Sequence, residues 1–177
     1  NFTGLGNYSR FVIDALSAYY PANEYLLYTP KVRQHPEVEK YLDYEVRQPE
    51  KGKIGALWRS FSIVDDIKKD KLDVYHGLSN ELPLRKPQGL KTVLTVHDLI
   101  FLRFPEYYGM IDVNIYKWKL KKACASADVI VAVSQQTAND LKDFLNADES
   151  KLKVVYKGCN PSFFKTNAID VRKKYDL

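Results

Sequence analysis

Apolar positions along the chain alternate between two spacings, and each change of spacing marks a new element. Tyr8, Phe11, Val12, Ala15, Leu16 and Tyr19 recur at helical intervals, and Pro21 closes that segment. The stretch EYLLYT, residues 24–29, predicts a compact strand ended by Pro30. A short helix is expected over 36–42, then a weak strand over 44–48. Ile54, Leu57, Trp58, Phe61, Val64 and Ile67 predict one continuous helix that closes in the charged KKDK. LDVYHG and KTVLTVHD predict two strands, residues 107–125 a long helix, and DVIVAVS an apolar strand. QQTANDLKDFL then reads as a helix that Ser134 can cap, KLKVVYKG as the last strand, and AIDVRKKYDL as the start of another helix.

Strands that alternate with helices imply a parallel sheet with helices on both faces. Runs such as VIVAV fit strands buried on both sides. The expected fold class is α/β, a Rossmann-like doubly wound parallel sheet. In such a sheet the ligand crevice lies outside the carboxyl ends of the strands. Here those ends are polar four times in succession. His76, Gly77, Ser79 and Asn80 follow one strand and His97 and Asp98 the next. Ser134 and Thr137 follow the third, and Gly158 and Asn160 the fourth. Turn chemistry alone accounts for Ser134 as a helix cap. It accounts less well for His76 and His97, which both come directly after apolar runs.

The start of the chain, NFTGLGNYSR, puts Gly4 and Gly6 just ahead of the first helix, where backbone amides favour an anion. The spacing matches neither a P-loop nor a full dinucleotide fingerprint, since no Gly-Lys-Ser/Thr follows and Ser9 stands where a third glycine belongs. A glycine loop of this type normally follows a strand. The expectation is that such a strand lies upstream of Asn1, and that a sheet without it exposes unpaired backbone and forms a non-physiological dimer.

Composition narrows the classes. The 177 residues are 45% apolar and 28% charged, which is globular and not disordered. Apolar runs are too short to cross a membrane. The net charge of +5 permits an anionic partner, but no basic tract is dense enough for nucleic acid. Cys124 and Cys159 suit neither a disulfide framework nor a metal site, so a reducing, cytoplasmic setting is expected and no metal. The 13 tyrosines suit a surface that meets sugars, or simply the margin of a core.

Five segments taken together carry a resemblance. TGLGNYSRFVIDAL, VYHG, TVLTVHDLIFLRFPEYY, ADVIVAVSQQTANDL and KLKVVYKGCNPSFF resemble, in order and spacing, the N-terminal half of family 4 retaining glycosyltransferases of the GT-B fold. The resemblance runs from Thr3 to Phe164. It implies a Rossmann-like acceptor-side domain over 1–165, lacking its first strand, with 166–177 starting a linker to a C-terminal nucleotide-sugar domain outside this sequence. It implies a hexosyltransferase-type enzyme of polysaccharide biosynthesis. Such an enzyme moves a sugar from a nucleotide-sugar donor to a glycan or lipid-linked acceptor, with retention and without cofactor or metal. This half alone would then be inactive. His97 matches a family histidine near the reacting sugar, as a positioning or proton-transfer group, and Asp98 would orient it or hold the loop. Gly4 and Gly6 match a loop that approaches donor or acceptor. Asn7, Tyr8, His76, Ser134 and Gly158 complete the substrate-binding candidates. Two other readings stay open: a GT-B-type sugar-nucleotide epimerase and a non-catalytic α/β binding module.

The long helix carries a further pattern. At about 100° per residue, Val113, Tyr116, Leu120 and Cys124 share one side and suit the sheet. Ile111, Ile115 and Trp118 lie opposite, flanked by Lys119 and Lys122, and suit either a protein neighbour or a peripheral contact with an anionic membrane.

Overall fold

In the computed structural model, residues 4–32, 35–50 and 54–158 are described. The expected tail helix, the domain boundary near residue 165, Cys159 and Asn160 lie outside them. Two parallel sheets form the frame. The smaller pairs β1 (Leu26–Tyr28) with β2 (Glu45–Arg47). The larger runs in the order β3 (Val74–Gly77), β4 (Lys91–Val96), β5 (Val129–Ala132) and β6 (Leu152–Val154). The helices are α1 (Gly4–Tyr19), α2 (Pro36–Glu39), α3 (Gly55–Leu57), α4 (Ile63–Lys69), α5 (Ile100–Arg103), α6 (Met110–Ser126) and α7 (Gln135–Leu145).

Register explains the burial. Gly77, Leu94 and Ile130 are cross-strand neighbours, as are Val96 and Ala132, so these side chains share one face. On that face Leu94, Val96, Ile130 and Ala132 are fully buried. Leu120, Ala123 and Cys124 of α6, with Ala138, Leu141 and Leu145 of α7, cover it. The Cys124 thiol is pushed up to about 12 by burial, as befits a packed side chain. The opposite face is less covered. Val93, Val129 and Val131 are only half-buried, which corrects the expectation of strands buried on both sides. The reason is a groove of about 1560 Å³ between α1 and the sheet, lined by Leu27, Tyr28, Val74, His76, Val93 and Val131. β1 and β3 both border it, and no ladder joins them.

Side chains join the sheets instead. Asp70, just past α4, accepts from Arg47 Nε at 2.9 Å and Nη2 at 2.7 Å and from the Tyr28 hydroxyl at 2.5 Å. The Arg47 guanidinium holds the Asp70 carboxyl below the usual carboxylate range. Tyr28 also stacks on Trp58 with centroids 6.4 Å apart and meets Tyr75 edge-on at 6.0 Å.

Two predicted helices change. The helix expected over 54–67 is broken by a π turn, Trp58–Ser62, between α3 and α4. The extra residue rotates the helix so that Trp58, Ile63 and Ile67 all face inward while Leu57 and Phe61 stay exposed. The helix expected from residue 107 begins at Met110, because Tyr108 and Gly109 are extended. Residues 105–107 form a 3-10 turn instead, and α5 precedes it.

One clamp holds the entry of β4 against β5. Asp128 Oδ2 accepts from the Thr92 amide at 2.8 Å, from Thr92 Oγ1 at 3.0 Å and from Lys86 Nζ at 2.8 Å. Lys86 and the Thr92 amide hold this carboxyl well below its usual range. A depressed folded-state pKa contributes stability above the unfolded value, and that contribution is lost as pH falls through the folded value. Asp128→Ala leaves the buried Thr92 amide unpaired and is expected to cost about 1–3 kcal/mol in urea unfolding. An unchanged midpoint at neutral pH would count against the clamp.

Candidate functional site around His97

Loop 78–82 begins at Gly77, where a Cβ would run into the Glu81 carbonyl oxygen and the Leu82 side chain. Only glycine lets the chain fold back so closely. Asn80 follows in the left-handed region, φ 58°, which asparagine tolerates. Its amide donates to the Thr95 carbonyl at 3.0 Å, and its Oδ1 accepts from the His97 amide at 2.8 Å. A side chain thus continues the β3–β4 pairing where the backbone has turned away.

His97 is 5% exposed. Its Nε2 lies 2.8 Å from the Leu78 carbonyl oxygen, which only accepts, so Nε2 carries the hydrogen. Nδ1 then presents a lone pair. It is buried and has no hydrogen-bond partner among the described residues. Burial lowers the pKa of this imidazole, the Leu78 bond raises it, and nearby Lys157 lowers it. The ring is therefore neutral at physiological pH. Tyr8 meets it edge-on with centroids 4.8 Å apart, and the Lys157 ammonium lies 6.0 Å from the Tyr8 ring centroid. From the far side Thr137 Oγ1 donates to the His97 carbonyl at 2.9 Å. The start of α1 and the segments after β3, β4, β5 and β6 all converge on this residue, at the carboxyl edge of the sheet.

Other candidates fall differently. Asp98 is exposed, and its Oδ1 accepts from the Ile100 amide at 3.3 Å, so it starts α5 and does not orient the imidazole. The Leu78 carbonyl does that. His76 bonds Thr95 Oγ1 at 2.9 Å and faces the groove, its pKa lowered to about 4 by burial. Ser134 caps α7, accepting from the Thr137 amide at 3.1 Å. Thr137 spends its own hydroxyl hydrogen on the His97 carbonyl, so Ser134 donates to Thr137 Oγ1 at 2.9 Å. It thereby supports His97 at one remove. Gly4 and Gly6 lie inside the first turn of α1, not in a loop ahead of it, because α1 is already helical at Gly4. Gly6 is buried; Gly4 is exposed, and a Cβ there meets nothing. Asn7 is exposed and accepts from Arg10. Gly158 passes against the Phe11 ring, where a Cβ would clash. The sequence placed Asn80 at a polar strand end without giving it a role, and pointed to neither Leu78 nor Lys157. A further local sign was the pair Gly77 and Asn80 in HGLSN, two residue types suited to tight or left-handed backbone.

Comparison with known proteins fits this arrangement. A family described as Glycosyltransferase Family 4 matches residues 5–163. The chain belongs to glycosyltransferase family 4. Among solved structures, a glycosyltransferase from Rickettsia africae is 20% identical with a TM-score of 0.56, over 98% of this chain and 46% of its own. The Anabaena protein Alr3699/HepE, solved with UDP and glucose, is 14% identical with a TM-score of 0.63, over 99% and 47%. The same Anabaena protein with UDP alone gives 0.61. No curated protein matches in sequence. The family 4 domain thus has the Rossmann-like architecture of an N-terminal GT-B half, and it spans under half the length of these structures. Among the described residues there is no cluster suited to a metal ion and no helix long and apolar enough to cross a membrane.

Proposed function

We propose that this domain is the acceptor-side half of a retaining glycosyltransferase, one that moves a hexose from a nucleotide sugar to a glycan or lipid-linked acceptor. The observation that carries the reading is the buried, neutral His97 with a free Nδ1 lone pair, at the point where four strand ends and α1 meet. Such a nitrogen accepts a hydrogen bond from a hydroxyl and cannot donate one. Reached by a sugar hydroxyl, which requires a shift of the side chains that now close it off, it would fix that hydroxyl without adding charge beside the reacting centre. The Tyr8 ring edge walls the position, and Lys157 supplies positive potential where phosphate charge would approach. Family membership supports transfer chemistry, and the nucleotide and sugar held by the Anabaena structure support a nucleotide-sugar donor. Most of the donor's contacts would come from a part of the enzyme beyond this domain.

The test is incubation of the purified natural full-length protein with a panel of nucleotide sugars and with glycan and lipid-linked acceptors, reading the product's anomeric linkage by NMR. The expected product retains the donor's configuration, and its yield is unchanged by EDTA. An inverted linkage, or an epimerised nucleotide sugar with no transfer, would overturn the reading.

A further inference from the structure

The loop after β3 is held from two sides. On one side Asn80 Oδ1 accepts from the His97 amide at 2.8 Å, and the Leu78 carbonyl accepts from His97 Nε2 at 2.8 Å. On the other side stands Glu81, the acidic residue of loop 78–82. Its carboxylate accepts from Ser60 Oγ at 3.2 Å and pairs with Arg59 Nε at 3.4 Å and Lys119 Nζ at 3.6 Å. Lys119 Nζ also donates to Ser60 Oγ at 3.2 Å, which leaves the hydroxyl hydrogen for Glu81. The Ser60 carbonyl accepts from the Leu84 amide at 3.0 Å. The π turn therefore grips this segment through side chain and backbone, and α6 adds a third hold through Lys119.

We infer that Glu81 is a positioning residue. By tying loop 78–82 to the π turn and α6, it fixes the Leu78 carbonyl and the Asn80 side chain that hold the His97 ring with Nδ1 as its lone pair. The inference rests on the reading of His97 as the group that fixes a sugar hydroxyl. Connectivity makes the link short. Glu81 directly follows Asn80 and lies three residues past Leu78. At Gly77 the chain folds back so closely that a Cβ would run into the Glu81 carbonyl oxygen. A shift of Glu81 therefore carries Asn80 and Leu78 with it. Location separates this role from ordinary stabilisation. The Glu81, Arg59 and Lys119 side chains are 29%, 45% and 34% exposed, and ion pairs at such positions add little to global stability. Ser60, by contrast, is 3% exposed and sits in a π turn, a helix irregularity found most often at functional sites. What the cluster supplies is local: it raises the cost of opening one loop. That loop decides which ring nitrogen of His97 carries hydrogen, and a displacement of about 1 Å is enough to spoil a positioned contact.

The test is NMR on the natural full-length protein, uniformly labelled with 15N. It reads exchange with water of the His97 Nε2–H proton, assigned by its disappearance in His97→Gln. Wild type should show this proton protected. Glu81→Ala should exchange it on the order of ten-fold faster, while the amides of Leu94 and Ile130 in the buried sheet keep their rates. In the same variant kcat should fall on the order of ten-fold, with KM for the nucleotide sugar near wild type. Glu81→Gln keeps an acceptor at the same reach and should recover most of both effects. Ser60→Ala should act in the same direction, and it carries the test if Glu81→Ala does not fold. The proposal is overturned if wild type shows no protected ring proton or if Glu81→Ala leaves its exchange unchanged. It is equally overturned if the core amides accelerate in step, or if kcat stays at wild type while ring exchange rises. Wild-type turnover in His97→Ala would instead overturn the reading of His97. The exchange measurement, made without substrate, would still report whether Glu81 holds the loop.

Discussion

Replacing His97 with alanine in the full-length enzyme is expected to lower kcat/KM by on the order of a hundred-fold, because the proposed positioning contact to the reacting sugar would be lost. Two conservative variants separate this role from a structural one. His97→Asn keeps an acceptor near the Nδ1 position, whereas His97→Gln keeps a donor toward the Leu78 carbonyl. If the free Nδ1 lone pair is what matters, asparagine recovers more turnover than glutamine. If the ring only packs, the order reverses and follows thermal stability. The pH profile gives a second readout. Burial lowers the imidazole pKa, so protonation enters only below the ordinary histidine range, and activity attributable to His97 should be flat at neutral pH and fall on the acid side. Wild-type turnover in His97→Ala would end the assignment.

Trp58→Ala is expected to produce the largest loss of stability, about 3–5 kcal/mol, read from urea unfolding by circular dichroism. Trp58 is 2% exposed at the π turn. Its indole N–H donates to Asp66 Oδ2 at 2.7 Å, and its ring stacks on Tyr28. Removal opens a cavity beside Ile63, Val64 and Ile67 and strands the Asp66 carboxylate without its indole partner. Trp58→Phe keeps most of the volume and should recover more than half of the loss. A cost below about 1 kcal/mol for the alanine variant would mean that this segment packs loosely.

The strands of the larger sheet were legible because a buried parallel strand is written as an apolar run, as in KTVLTV and VIVA, and tertiary packing agrees with that local preference. Ser134 was legible as a cap because its partner, the Thr137 amide, lies three residues away. What stayed hidden is non-local. Asn80 takes the place of a backbone rung toward His97, and no periodicity records a side chain used that way. The Leu78 carbonyl that sets the imidazole tautomer is an anonymous backbone group. Asp98 read as orienting His97 or holding the loop; successive residues point apart, and its carboxylate turns to the Ile100 amide, which fits the second role and not the first. The π turn was hidden for a related reason: Leu57, Trp58 and Phe61 fit one helical stripe on paper, and only the need to bury Trp58 with Ile63 decides which of them turn outward. Glycines near the start read as a loop because glycine weakens helices, but helical geometry begins at Gly4 all the same.

The groove between β1 and β3 bears on what the molecule can mistake for itself. Among the described residues neither strand has a ladder partner on that side. Their outward amides and carbonyls take part in no ladder among the described residues, and the groove beside them mixes apolar with polar side chains. Backbone groups carry no side-chain signature, so an extended segment is admitted by its shape and by the alternation of its apolar residues, whatever its exact sequence. During synthesis or at high concentration, the same edges are where one copy would capture another's unfolded strand. A segment that pairs with those two edges is therefore expected to lower the tendency of this domain to self-associate.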